Sequence, residues 1–156
     1  DDGCRRILCL RSNSRMRMPA NKRTDAYLDV VEQAGLSALV REVEFVKPDD
    51  EKGAVVAKIL DENPDIDGIF AGDDTMAAIC LNVMKQRGLS APDDIKVVGA
   101  DGARRTMTFM PDLTTVRQDI DRIGELAAQS IIALINGDNP ESNIKLPVEL
   151  IEGKTA

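Results

Sequence analysis

Residues 67–102 read DGIFAGDDTMAAICLNVMKQRGLSAPDDIKVVGADG, and this stretch decides the fold. Gly68–Ala71 is an apolar run of strand length. Asp73 or Asp74 offers a capping carboxylate, and Met76, Ala77, Cys80, Val83 and Met84 follow at helical spacing until Gly88 stops the helix. Ile95–Gly99 is a second apolar run. A strand, a helix and another strand, with the strands lacking strict polar alternation, is the pattern of parallel strands buried on both faces.

The same unit recurs outward in both directions. Upstream, Ile7–Leu10 predicts a strand, and Thr24–Ala34 predicts a helix with Tyr27, Val30, Val31 and Ala34 on one side, closed by Gly35. Leu39–Val46 alternates Val43 and Phe45 with Glu42 and Glu44, a strand. A helix capped by Asp49 or Asp50 runs to Leu60 with Val55, Val56, Ile59 and Leu60 as its stripe, ended by Asn63-Pro64. Downstream, Leu113–Val116 is a short strand. Asp119 opens a longer helix carrying Ile120, Ile123, Ala127, Ile131 and Leu134, ended by Asn136-Gly137. Ile144–Ile151 is extended and broken by Pro147, which puts it at a sheet edge. The fold class is α/β: a parallel, Rossmann-like sheet with helices on both faces. Such sheets bind ligands beyond the carboxyl ends of their strands.

Composition narrows the chemistry. The 156 residues suit one domain or a large piece of one, and 43% hydrophobic with 30% charged residues describes a chain that builds a core under a solvated surface. A formal charge of -7 argues against gripping a phosphate backbone. The absence of histidine removes Ser-His-Asp and Cys-His catalysis and His-based zinc sites. Cys4, Cys9 and Cys80 are an odd set without framework spacing, which fits a reducing compartment; Cys9 and Cys80 lie in apolar runs and read as core. No apolar run approaches the ~18 residues of a membrane span. The opening Asp-Asp-Gly-Cys-Arg-Arg, without methionine, reads as the start of a fragment or of a processed product.

Polar groups gather where three predicted strands end. Arg11, Ser12, Asn13, Ser14 and Arg15 follow Leu10; Gly72, Asp73 and Asp74 follow Ala71; Ala100, Asp101 and Gly102 follow Gly99. Carboxylates accept paired hydrogen bonds from vicinal hydroxyls, and a guanidinium donates to the same oxygens, so the combination suits a polyol. The same residues also serve plainly as helix cap and turn.

Residues 67–102 resemble the signature of the lactose/galactose-repressor (LacI/GalR) family: an apolar strand, Ala-Asn-Asp-x-Met-Ala, a helix, Arg-Gly-x-x-x-Pro-x-Asp and Val-Val-Gly-x-Asp. PDLTTVRQDIDRIGELAAQSIIALINGD (111–138) resembles its Leu-Thr-Thr-Val-x-Gln and the helix that follows. LPVELIEGKT (146–155) resembles its closing strand, and NKRTDAYLDVVEQAGL (21–36) its Arg-x-x-Gly-Tyr pattern, with Ala26 in place of Gly. The resemblance runs from Gly3 to Thr155.

It implies the effector-binding domain of the periplasmic-binding-protein-like type I class, mostly its C-terminal subdomain. Residues 1–118 would form that subdomain, 119–140 a helix belonging to the N-terminal subdomain, and 141–156 the returning edge strand. Arg23 and Asp101 take the positions that bind effector, Asp73 stands where the family has Asn, Gln118 falls in the hinge-side segment, and Ser12 and Asn13 sit in a loop lining the pocket. Asp74 and Met76 read as structural, a helix cap and a core side chain. The implied protein is a cytoplasmic, homodimeric transcription repressor without membrane attachment. A sugar effector would modulate operator binding by a helix-turn-helix head that this stretch lacks. Neither catalysis, a metal nor a cofactor is expected. The helix after Asp119, short of its usual cover, would pack on a neighbouring chain or be held differently.

Three other readings compete. An extracytoplasmic sugar-binding protein of the ribose-binding type shares the fold, but three free cysteines speak against it. Cys9 and Arg15 have the bare Cys-x5-Arg spacing of tyrosine phosphatases, but no glycine lets the loop curl around phosphate. Asp73, Asp74 and Asp101 could serve a metal hydrolase, but their spacing is not that of a ligand set.

Overall fold

The computed structural model of the chain describes residues 3–13 and 19–156. Strands β1 (Ile7–Asn13), β2 (Leu39–Glu44), β3 (Gly68–Ala71), β4 (Lys96–Asp101), β5 (Thr114–Gln118) and β6 (Val148–Ile151) make one sheet in the order β2-β1-β3-β4-β5-β6. The first five are parallel, and β6 returns antiparallel along β5 at the edge, as Pro147 requires. Helices α1 (Pro19–Gln33), α2 (Asp49–Glu62), α3 (Asp74–Gln86), α4 (Arg104–Phe109) and α5 (Ile120–Ile135) complete the described structure.

Strand alternation sorts the core into two faces. Leu8, Leu10, Val43, Ile69, Ala71 and Val97 point toward α2 and α3. There they meet Val56, Ile59 and Leu60 from one helix and Met76, Ala77, Cys80, Val83 and Met84 from the other. The opposite face carries α1, with Cys9, Tyr27 and Val31 packed beside Ile7, Leu36, Val40 and Phe70. Tyr27 pins α1 there: its hydroxyl donates to the Ile7 carbonyl at 2.7 Å and accepts from the Leu39 N–H at 3.0 Å.

The expectation of helices over both faces holds only in part. Beyond α1 the second face is an open apolar trough of about 850 Å³ running past Phe70, Val98, Val116 and Val148. Helix α5 has no buried residue; Ile131 and Leu134 are 59% and 60% exposed. Three local expectations are also corrected, and the choice between two capping residues of α3 is decided. Ser12 and Asn13 are not loop but the last residues of β1, paired in register with Val43 and Glu44. Helix α2 is preceded by Pro48 with no side-chain cap, so Asp49 and Asp50 lie inside its first turn, where they suit the dipole. Helix α1 starts five residues before Thr24, at Pro19. The cap of α3 is Asp73, in an extended conformation, whose Oδ1 accepts from the Met76 N–H at 2.8 Å.

Asp74 is therefore not a cap. It is 2% exposed, and its two oxygens tie α3 to the strands beside it: Oδ1 accepts from the Thr115 hydroxyl at 2.6 Å and Oδ2 from the Gly102 N–H at 2.8 Å. Gly99 makes this possible, because a Cβ there would lie 2.5 Å from Asp74 Oδ1. Burial pushes the Asp74 carboxyl above its ordinary range, against the pull of the Thr115 and Gly102 donors.

Two outcomes follow for urea denaturation of the chain. Leu10→Ala costs about 2–5 kcal/mol by opening a cavity in the filled face, whereas Ile131→Ala on α5 stays within about 0.5 kcal/mol. Equal losses would contradict the packing described. Asp74→Ala costs about 1–3 kcal/mol because it strands two buried donors. The raised pKa makes the folded chain bind a proton more readily than the unfolded one. The contribution of Asp74 is thus fully present below the ordinary carboxylate range and falls as pH climbs through its raised value. Asp74→Ala should flatten that stretch of the stability–pH curve, and an unaltered slope would contradict the assignment.

Candidate functional site at the strand ends

The carboxyl ends of β3, β4 and β5 converge on one guanidinium. Arg23, projecting from α1, donates through Nη1 to the Gly72 carbonyl at 2.6 Å and through Nη2 to Asp101 Oδ1 at 2.5 Å. Gln118, the last residue of β5, donates from Nε2 to the same Asp101 oxygen at 2.7 Å. Arg23 and Asp101 are about one quarter and one third exposed, respectively, so their pairing is sheltered but reachable. Among the described residues, Asp101 Oδ2 accepts no hydrogen bond.

The turn that presents Asp101 is tightly determined. Asp101 has φ 106°, a left-handed value uncommon outside glycine, and Gly102 follows at φ 59°. A Cβ on Gly102 would sit 2.6 Å from the Arg117 Cα, so only glycine lets the chain pass β5 this closely. The Gly102 N–H is held by Asp74, which locks the backbone immediately after Asp101. A strained residue fixed on both sides at a strand end is the usual setting of a binding group.

Of the six residues that the sequence singled out, the structure joins Arg23, Asp101 and Gln118 directly. Asp73 follows Gly72, whose carbonyl Arg23 grips, and stands at the neighbouring strand end, half-buried, with one oxygen committed to its cap. Ser12 is buried and shares the alternation of Leu8 and Leu10, on the sheet face opposite α1; Asn13 is exposed, and its carbonyl accepts from the Phe45 N–H at 3.1 Å. No hydrogen bond joins either to the Arg23 cluster among the described residues. The clasp formed by Asp74, Thr115 and Gly102 escaped the sequence, because its partners lie far apart in the chain; the paired threonines of Leu113–Val116 were the available signal.

The competing chemistries find little support. Cys9 is 1% exposed and burial raises its thiol pKa, the reverse of an activated nucleophile; Arg15 lies outside the described residues. Among the described residues no group of three His, Cys, Asp or Glu side chains could hold a metal ion. Asp73 and Asp74 turn to different tasks, one capping α3 and the other clasping Thr115. No described helix is long and apolar enough to cross a membrane.

Comparison with known proteins agrees with this fold. The periplasmic binding protein-like domain family matches residues 1–156. The ribose operon repressor of Halalkalibacterium halodurans is 30% identical over 156 residues, covering 99% of this chain and 46% of the relative. The sucrose operon repressor of Lactococcus lactis is 31% identical over 153 residues, covering 98% and 46%. The chain thus spans about half the length of the curated relatives it matches. Among solved structures, a LacI-family regulator from Corynebacterium glutamicum superimposes with a TM-score of 0.86 at 23% identity, over 99% of this chain and 50% of that one. A LacI-family regulator from Arthrobacter sp. FB24 in complex with lactose gives 0.82 at 25% identity, over 98% and 58%. The chain belongs to the periplasmic binding protein-like domain family, and it is similar over its length to part of the sugar operon repressors named above.

Proposed function

We propose that this chain supplies one wall of an effector site for a sugar, in a LacI/GalR-type repressor whose DNA affinity the sugar controls. The observation that carries the reading is the state of Asp101, at the carboxyl edge of a parallel sheet: one oxygen is fixed by Arg23 and Gln118, and the other accepts no hydrogen bond among the described residues. A carboxylate oriented in this way accepts from vicinal hydroxyls, and the guanidinium beside it donates to their oxygens. In this reading Asp73, at the end of β3, adds a further acceptor, and Ser12 and Asn13, at the end of β1, belong to the same carboxyl edge of the sheet without touching the Arg23 cluster. The relatives named for ribose and sucrose operons, and the neighbour holding lactose, support a sugar as the ligand class.

Residues 1–118 and 141–156 form the C-terminal subdomain in this reading, and residues 119–140 carry a helix that belongs against a second subdomain. The absence of any buried residue in α5 supports that assignment, because a stripe of Ile120, Ile123, Ile131 and Leu134 left largely exposed is unfavourable in water. Sugar bound between the subdomains would favour one closure angle and so reset the spacing of two DNA-binding heads in a cytoplasmic homodimer. The chain itself, with a charge of -7, would bind operator DNA only through a basic head beyond these residues, and its role is non-catalytic.

The test is a thermal-shift panel of neutral sugars against the complete product of the gene. A true effector at a hundredfold over its dissociation constant stabilises the fold by about 2.7 kcal/mol. Both Asp101→Ala and Arg23→Ala should abolish the shift. A shift that survives Asp101→Ala, or none with any sugar, would overturn the proposal.

A further inference from the structure

Asp73 adds a second carboxylate beside the Arg23 cluster, offset among the described residues by the partial positive charge of the α3 N-terminus. One of its oxygens is fixed by the Met76 N–H, so the carboxylate cannot turn away from the end of β3. The other oxygen has no hydrogen-bond partner among the described residues, and Asp73 forms no ion pair with any of them. The nearby guanidinium of Arg23 is already committed to the Gly72 carbonyl and to Asp101. Arg23 and Asp101 cancel, and Asp73, which the α3 N-terminus offsets only in part, leaves the described side chains with one formal negative charge in excess.

We propose that Asp73 sets the charge preference of the site, which is best filled by a hydroxylated ligand carrying a protonated amine, such as an amino sugar. The inference rests on reading the cluster as a polyol site. A carboxylate only accepts hydrogen bonds, whereas an amide would donate as well. A hydroxyl facing Asp73 Oδ2 satisfies the carboxylate but must place its own lone pairs elsewhere. An ammonium brings three donors, no lone pairs and the missing positive charge, and charge-assisted bonds are roughly twice as strong as neutral ones. Because Asp73 is half-buried, screening by water is reduced, so the excess charge weighs more than it would on an open surface. The same excess disfavours phosphorylated sugars and sugar acids. The order of preference is amine, then neutral sugar, then anion.

Calorimetric titration of the gene's complete product with matched probes tests this: glucose against glucosamine, galactose against galactosamine, and glucose 6-phosphate as the anion. The amine of one pair should bind at least about tenfold more tightly than its neutral partner, a difference of about 1.4 kcal/mol. The phosphate should not bind, and the near-isosteric Asp73→Asn should bring the amine-to-neutral ratio to one or below. Suppose instead that the neutral sugar binds as tightly as its amine, and Asp101→Ala abolishes both. The polyol reading then stands and the role of Asp73 falls. A preference that persists in Asp73→Asn overturns it equally. If no member of either pair binds, the polyol reading fails and this inference fails with it.

Discussion

Asp74 exchanges water for two protein donors, and the site is built on that exchange. Its carboxylate sits at the start of α3, inside the sheet layer, and reaches the Thr115 hydroxyl on β5 and the Gly102 N–H just past β4. A buried carboxylate is costly unless its oxygens are satisfied. Here its satisfaction also ties the ends of β3 and β4 to the first turn of α3 and to β5. Gly99 yields the space, and Gly102 accepts a backbone path that a side chain would block. The consequence is the left-handed Asp101, whose side chain is thereby aimed away from the core and toward α1.

Arg23 then completes from the other face what Asp74 begins. Its planar guanidinium spans the Gly72 carbonyl and the Asp101 carboxylate, linking α1 to β3 and β4. Tyr27, one turn further along α1, holds that helix to β1 and β2 through a single hydroxyl. The Asp101 carboxylate, which the proposal sets against ligand, is thus positioned by groups that are themselves anchored, which would limit the entropy lost on binding. The wall is rigid where it would meet ligand, while the trough beside α1 and the whole of α5 present apolar surface without cover.

Much of this was legible in the sequence because it is local. The β3–α3–β4 unit follows from apolar runs, a capping carboxylate and Gly88. Asp101, Arg23 and Gln118 were identified by motif, and the structure brings them into contact. What was missed depended on distant partners. Asp73 and Asp74 are equally good capping types, and only the extended backbone at Asp73 and a threonine 41 residues from Asp74 tell them apart. Arg11, Ser12 and Asn13 look like loop because they are polar. They are strand because β2 supplies backbone partners as far as Glu44. Helix α4 carries no apolar stripe in RRTMTF and gave no periodic signal. The helical character of α5 was plain, but no pattern within a chain reveals what will cover its exposed side.

The most direct measurement is a crystal structure of the gene's complete product with a bound sugar. The account predicts ligand hydroxyls within hydrogen-bond distance of Asp101 Oδ2, with the Arg23 and Gln118 bonds to Oδ1 retained and Asp74 still clasping Thr115 and Gly102. A sugar bound elsewhere, with Asp101 Oδ2 untouched, would contradict it.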